Sequence, residues 1–201
     1  MLLEFRNPVG IITKNHLVTR DVDLLAEISG FEAASVILSV TTLDVDLARR
    51  MEPRASHPGR RLAAIERLAE AGIPVGVNVA PVIPGLTDYE IPAILRAAAD
   101  AGASFAGFLM LRLPHSVKDL FSDWLEQHRP NRKHRVLQRI RDMRAGGLND
   151  TAFGRRMRGT GLYAEQIARL FEVERRKVGL ERSAPKLSAR SFIRPGQIPL
   201  F

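Results

Sequence analysis

The amino-acid sequence predicts an α/β protein with about four parallel strands, each followed by a helix, and then a run of helices. Short β-branched stretches at residues 9–13, 35–41, 75–80 and 104–111 have the length and composition of strands. Helical repeats separate these stretches, and strands that alternate with helices pair in parallel. From residue 116 onward every periodic segment is helical, with helices predicted to end near residue 128 and to span 132–145 and 160–178.

The first two strands place polar groups at their carboxyl ends. The strand at 9–13 ends at Lys14, and a helix is predicted from Thr19. In the strand at 35–41 the apolar residues Val36, Leu38 and Val40 share one face. Ser39 and Thr41 share the other face, so both hydroxyls approach the carboxyl end of the strand. A polar connection at 44–58 leads to a helix over 59–72, which has apolar residues at helical spacing.

The stretch GIPVGVNVAPVIPGLTD, residues 72–88, is predicted to deliver a polar turn to the start of a helix. Its alternating valines form the apolar face of a strand. Asn78 lies on the opposite face among small residues, which suits a barrel wall that leaves room for a ligand. Pro84 and Gly85 turn the chain, and Thr87 with Glu90 has the spacing of a capping box.

The composition excludes several kinds of chemistry. The chain of 201 residues contains no cysteine, so it cannot form disulfides, thiolate nucleophiles or a cysteine-held iron–sulfur cluster by itself. It has no apolar run of about 18 residues and no signal-peptide pattern, which predicts a cytoplasmic protein without membrane contact. Its five histidines lack metal-ligand spacing, and we predict that they are structural or lie on the surface.

The charge is unevenly distributed. Residues 1–128 carry a net charge of −4, whereas residues 129–201 carry +12. We therefore expect three parts: an α/β body at 1–128, a basic helical extension at 129–182, and an irregular tail at 183–201 that docks on the body. The basic part is compatible with nucleic-acid binding through phosphate neutralisation, or with a solvated arginine-rich helical surface.

Several blocks of the sequence resemble one known family. They are ITKN at 12–15, SVTTLD at 39–44, MEPRASHPGRRLAAIERLAEAGIPV at 51–75 and VAPVIPGLTD at 79–88. These blocks are similar to radical S-adenosylmethionine (SAM) proteins, and within them to spore photoproduct lyase and the DNA repair photolyase-like group. GFLMLRLPHSVKDLF and the terminal RPGQIPLF extend the resemblance over nearly the whole chain.

The resemblance implies a partial TIM barrel of six βα units that binds SAM across the carboxyl ends of the strands. In that family a 4Fe-4S cluster, held by a CxxxCxxC loop after the first strand, cleaves SAM to a 5′-deoxyadenosyl radical that abstracts hydrogen. The four strands here would be the third to the sixth, and the cluster loop has no counterpart. We therefore expect the C-terminal part of a radical SAM protein, catalytically incompetent alone, with a CxxxCxxC-encoding frame directly upstream.

The resemblance also implies roles for individual residues. Lys14 matches a lysine that contacts the SAM carboxylate, and Ser39 matches a serine that meets the methionyl portion. The turn from Pro81 to Asp88 corresponds loosely to a GxIxGxxE motif that contacts the cofactor through its backbone, with Pro81 in place of the first glycine and Asp88 in place of the acid. The complete set of predicted cofactor-binding residues is Lys14, Ser39, Thr41, Arg54, Arg61, Asn78, Pro84 and Gly85. The two arginines also suit ion pairs that hold a loop or a helix face.

Two other functions stay open at this point. A nucleic-acid-binding module without catalysis would use the basic region at 129–201. A cluster-free lyase would use Lys14 as a Schiff-base nucleophile at a strand end. In addition, a sheet that lacks two strands of its barrel would expose an edge, which favours self-association.

Overall fold

The computed structural model describes residues 1–193, which form one four-stranded parallel sheet covered by helices. The strands are β1 (Val9–Thr13), β2 (Ala34–Val40), β3 (Val75–Val82) and β4 (Phe105–Met110), in that order across the sheet. The helices are α1 (Val22–Ser29), α2 (Val45–Met51), α3 (Pro58–Glu70), α4 (Ile91–Asp100), α5 (Val117–His128), α6 (Pro130–Asp142) and α7 (Leu162–Lys177). The predicted open α/β sheet, a partial barrel with four parallel strands and C-terminal helices, is confirmed.

The period-2 alternation of the strands decides which face of the sheet is buried. Val36, Leu38, Val77 and Val79 are at most 1% exposed and pack beneath the helices in the main core. The opposite face carries small and polar residues, including Gly76 and Asn78, beside the larger Ile37 and Phe105. Gly76 lies on that face under the ring of Phe105, and a Cβ at this position would come within 2.3 Å of the ring.

The helices after residue 128 share their cores with the body. Val136, Leu137 and Ile140 of α6 pack with Leu125 of α5 and with Ile83, which follows β3. Residues of α7 belong to the same main core as the valines of the sheet. The packing therefore continues across residue 128, and the predicted division into three parts stays a prediction.

The two edges of the sheet differ. At β4 the amide of Ala106 donates to the carbonyl of Glu181, and the amide of Met110 donates to that of Met157, both at 2.9 Å. Within residues 1–193 no strand borders the outer edge of β1. Self-association through this edge stays a prediction.

The chain that follows α7 returns to the body. The amide of Ser188 donates to the carbonyl of Glu32, and that of Ile193 donates to the carbonyl of Phe5, each at 2.9 Å. Residues 194–201 of the predicted tail lie outside the described residues.

Two local predictions differ from the structure. The helix expected from Thr19 is a 3₁₀ helix over His16–Asp21 that continues into α1. The capping box is wrong, because Thr87 Oγ1 accepts from the amide of Ile83 while the carboxylate of Glu90 bonds outside its own helix. Among the helices of the described chain, none has both the length and the apolar character needed to cross a membrane.

Candidate functional site

A row of polar side chains lies at the carboxyl edge of the sheet. Lys14 directly follows β1, Ser39 belongs to β2, Thr41 directly follows it, and Asn78 belongs to β3. Ser39 and Asn78 are paired in register, and the next position across the sheet is Gly107 of β4. Within residues 1–193 neither the Ser39 hydroxyl nor the Asn78 amide has a side-chain hydrogen bond; Ser39 is 5% exposed and Asn78 is partly buried.

Lys14 is held by two acceptors at this edge. Its Nζ donates to Oγ1 of Thr41 at 2.9 Å and forms a short ion pair with Oε1 of Glu52, which lies just after α2. The Thr41 hydroxyl is 2.8 Å from both Glu52 Oε1 and the carbonyl oxygen of Ala80, so its single proton goes to one of these two acceptors. The cluster therefore joins the ends of β1, β2 and β3.

Arg61 fixes the other side of the Glu52 carboxylate. This arginine of α3 is only 1% exposed, and its Nη2 donates to Glu52 Oε2 at 2.8 Å. Its Nη1 donates to the carbonyl of Ser39 at 2.9 Å, and its Nε donates to the carbonyl of Ser56 at 2.6 Å. Every nitrogen of the guanidinium thus has a protein acceptor, which gives Arg61 a structural part in the site.

Burial and pairing act in opposite directions on the charges of this cluster. Burial lowers the pKa of Lys14 below its ordinary value and outweighs the opposing effect of Glu52. Burial alone would raise the pKa of Glu52, but the charge of Lys14 and the hydrogen bonds from Lys14, Arg61 and Thr41 lower it overall. Glu52 is therefore a carboxylate at neutral pH, and the two cations and one anion carry a net charge of about +1.

Three of the predicted cofactor-binding residues lie outside this cluster. Arg54 is exposed in the turn after Glu52 and has no ion pair or side-chain hydrogen bond within the described chain. Pro84 and Gly85 are buried in the turn after β3, and a Cβ on Gly85 would come within 3.0 Å of Arg139 on α6. The structure brings together the other five: Lys14, Ser39, Thr41, Arg61 and Asn78.

Two carboxylates at this edge were missed by the sequence analysis. Glu52 lies in the predicted polar connection at 44–58, and Glu90 belongs to the predicted capping box. Instead Glu90 accepts from the hydroxyl of Thr42 at 2.6 Å and from the amide of Leu43 at 2.7 Å, so it ties the segment after β3 to the end of β2. One signal for Glu52 is Arg61, because an arginine on the apolar face of α3 favours an acid as a buried partner.

A second surface feature is a groove of about 500 Å³ between the turn after β3 and helices α6 and α7. Arg132, Arg135 and Arg139 project from α6 into it, and Tyr89 and Tyr163 are among the other lining residues. Arg139 donates to Tyr163 Oη at 2.6 Å and stacks on its ring. Arg132 and Arg135 are exposed, and neither forms an ion pair within the described residues.

The polar row suits a ligand that carries a carboxylate beside hydrogen-bonding groups. The ammonium of Lys14 has three N–H groups, and the structure commits two of them. An iron–sulfur cluster does not fit this chain, because no cysteine is present to ligate it. In residues 1–193 no group of three His, Cys, Asp or Glu side chains has a geometry that could hold a metal ion.

Comparisons with known proteins place the chain among relatives. Residues 2–98 match the family model of the radical SAM superfamily. An uncharacterized protein of Mycobacterium tuberculosis (strain ATCC 25618 / H37Rv) is 32% identical over 197 residues, which is 96% of this chain and 54% of that protein. An uncharacterized protein of Methanocaldococcus jannaschii is 30% identical over 128 residues, 64% of this chain and 46% of that protein. The chain thus spans about half the length of the curated relatives it matches.

Two solved structures have a fold similar to that of this chain. A spore photoproduct lyase mutant with bound AdoMet and dinucleoside spore photoproduct has a TM-score of 0.56 and 20% sequence identity. The match covers 87% of this chain and 50% of that one. A second spore photoproduct lyase mutant has a TM-score of 0.53 with the same coverage.

Proposed function

We propose that the polar row at the carboxyl edge binds the methionyl part of SAM, because residues 2–98 match the family model of the radical SAM superfamily. The observation that carries the proposal is Lys14. Its ammonium is fixed at a strand end with one N–H uncommitted within residues 1–193, at the same edge as the hydroxyl of Ser39 and the amide of Asn78. A charge-assisted hydrogen bond from Lys14 would bind the carboxylate of SAM.

We assign to this chain the binding of SAM and not its cleavage. In radical SAM enzymes a reduced 4Fe-4S cluster supplies the electron that cleaves SAM, and this chain has no thiolate to hold one. Lys14, Ser39 and Asn78 would orient the cofactor. Radical generation would require a complete protein that also carries the cluster.

The test is SAM binding by the chain, measured by isothermal titration calorimetry. We expect Lys14→Met to weaken SAM binding by about 10- to 100-fold, the range for loss of a charged hydrogen bond. Binding of 5′-methylthioadenosine, which lacks the amino-acid carboxylate, should not change. Lys118→Met, a substitution of an exposed lysine on α5, is the matched control. A wild-type chain that melts cooperatively but does not bind SAM would contradict the proposal.

A second candidate function is binding of single-stranded nucleic acid in the groove between α6 and α7. Two exposed arginines without ion-pair partners in the described chain, Arg132 and Arg135, lie beside the aromatic ring of Tyr89. Guanidinium groups bind phosphates, and an exposed aromatic ring offers a stacking surface for a base. The bound dinucleoside in one structural neighbour and the net charge of +12 over residues 129–201 support the same candidate.

Salt dependence tests this candidate. We expect the affinity for a labelled single-stranded oligonucleotide to fall steeply as salt rises from about 50 to 200 mM. The double variant Arg132→Gln/Arg135→Gln should reduce the slope of log affinity against log salt by about 1.4. The control is Arg20→Gln/Arg49→Gln, which removes two exposed charges on other elements. An affinity that is independent of salt would exclude the nucleic-acid function.

A further inference from the structure

Glu52 lies at the centre of the proposed SAM-carboxylate site although it would not touch SAM. Its Oε2 accepts from Arg61 at 2.8 Å, and its Oε1 is shared by Lys14 and Thr41. The side chain is 12% exposed, so nearly all of its surroundings are protein. The inference below rests on the proposed function of this site.

The anchor of Glu52 cannot easily move. Arg61 is held by the carbonyls of Ser39 and Ser56 as well as by Glu52, and it is almost completely buried. A guanidinium is a planar group with donors in fixed directions, so these bonds also fix the direction of its bond to Glu52. One carboxylate oxygen is therefore held in place, and the other points to Lys14.

Glu52 and Thr41 hold the ammonium of Lys14 in one position. A free lysine side chain samples many rotamers, and ordering it for a ligand costs free energy. Here Glu52 and Thr41 bind two of the three ammonium protons, while 33% of the side chain remains exposed. The remaining N–H is available to a ligand from an ammonium that is already ordered.

The charge of the cluster fits the same ligand. Lys14 and Arg61 contribute two positive charges, and Glu52 contributes one negative charge. The net positive charge attracts the carboxylate, which is the one anionic group of SAM. We infer that Glu52 is a positioning residue that orders Lys14 for the SAM carboxylate and thereby determines the preference of the site for ligands that carry it.

Ligand discrimination tests this role in the full chain. The ratio of the affinities for S-adenosylhomocysteine, which has the carboxylate, and 5′-methylthioadenosine, which lacks it, is measured in wild type and Glu52→Gln. We expect the ratio to fall about tenfold in the variant, because the loss of order at the Lys14 ammonium outweighs the additional positive charge that the variant leaves in the cluster. A purely structural role of Glu52 would weaken both ligands equally and leave the ratio unchanged.

Glu90→Gln is the matched control. Glu90 is another buried carboxylate at the same edge, 7% exposed, but its partners are Thr42 and Leu43. We expect this variant to lose stability and to keep the wild-type ratio of affinities. A tenfold fall in the ratio for Glu90→Gln as well would overturn the inference.

A measurement without ligand separates this inference from the proposed function. The rate at which an amine-reactive acetylating reagent modifies Lys14 is followed by peptide mass spectrometry. Loss of the ion pair lowers the pKa of Lys14 further and frees its amine, so Glu52→Gln should increase the rate several-fold. If wild type does not bind SAM but the rate rises, the proposed function fails and the positioning of Lys14 by Glu52 stands. An unchanged rate overturns the inference even if SAM binds.

Discussion

Arg61 is the residue whose removal should most affect the stability of the carboxyl edge. Arg61→Met keeps an unbranched side chain that fits the apolar face of α3, but it removes the guanidinium from a position that is only 1% exposed. The change leaves the carboxylate of Glu52 with one cation fewer. It also leaves the carbonyls of Ser39 and Ser56 without their side-chain donor.

The expected magnitude follows from these contacts. Removing one partner of a buried ion pair costs about 3–5 kcal/mol, because the other charge stays buried. Lys14 and Thr41 still bind Glu52, which favours the lower half of that range, and two unsatisfied carbonyls add to it. We expect a loss of about 4 kcal/mol and, for a chain of 201 residues, a fall in Tm of about 8–16 °C.

The measurement is thermal unfolding followed by circular dichroism at pH 7, with urea unfolding as a second measure of the free energy. The matched control is Arg60→Met, the neighbouring exposed arginine, which should change stability by less than about 0.5 kcal/mol. The loss of stability in the double variant Arg61→Met/Glu52→Gln should be smaller than the summed losses of the two single variants. The reason is that Glu52→Gln removes the carboxylate that Arg61→Met would leave short of a partner. A Tm of Arg61→Met within about 2 °C of wild type would refute the buried-pair reasoning.

Four further outcomes are expected. The stability difference between wild type and Glu52→Gln should shrink as the pH falls from about 5 to about 2. The fold lowers the pKa of Glu52, and its carboxylate stabilises the fold only while it is ionised. Lys14→Met should also lower Tm, because it removes one of the two cations paired with the buried carboxylate of Glu52, but by less than Arg61→Met, since Lys14 is 33% exposed and burial disfavours its ammonium; a loss as large as that of Arg61→Met would contradict this reasoning. Gly85→Ala should cost about 1 kcal/mol more in urea unfolding than Gly146→Ala, since both have positive φ but only Gly85 has a side chain within 3.0 Å of the new Cβ. Burial and the bond to Asp88 raise the pKa of Tyr163 to about 12. The absorbance titration of the wild-type tyrosines should therefore show a step near that pH, and Tyr163→Phe should lack it.

The fold could be predicted from the sequence because its main signal is local. Alternation in β2 and β3 specifies one buried face, and every valine and leucine of that face is buried in the structure. The helical repeat of α3 similarly places Ile65 and Leu68 in the core. Each pattern covers fewer than twenty residues and needs no knowledge of distant contacts.

Part of the site could also be predicted, for a topological reason. Lys14, Ser39 and Asn78 belong to different strands, but the carboxyl ends of parallel strands meet at one edge, so their proximity follows from the fold class. Glu52 has no such signal. It follows a seven-residue helix in an irregular connection, where neither periodicity nor a cap assigns its side chain a direction.

The position of Arg61 on the apolar face of α3 is the feature of the sequence that indicates Glu52 as a buried partner. Arg61 shares a helix face with the buried Ile65 and Leu68, and burial of a guanidinium favours an acid as one of its partners. The preceding connection offers three acids. Asp44 caps α2, and Asp46 binds the arginines of that helix, which leaves Glu52 as the free partner. Glu52 can be predicted as the partner of Arg61 if charged residues on apolar helix faces are paired before ligand-binding roles are assigned.

The Glu90 bonds reveal a second reason why the capping-box prediction was wrong. A Thr-x-x-Glu pattern describes one way to satisfy a carboxylate near a helix start. At a sheet edge the amide of Leu43 and the hydroxyl of Thr42 compete for the same carboxylate, and the buried site is the one that is filled. Here the tertiary hydrogen bonds of Glu90 replace the local bond that the capping-box motif predicts.

Stability and ligand binding are assigned to different members of one cluster. Arg61 and Thr41 have all their polar atoms bound to protein and little exposed surface, so their contribution is complete before a ligand arrives. Lys14 differs, because burial lowers its pKa and one of its N–H groups has no assigned partner. On the proposed function of this edge, a carboxylate ligand would bind the remaining N–H of Lys14 and offset part of the cost of burying its charge.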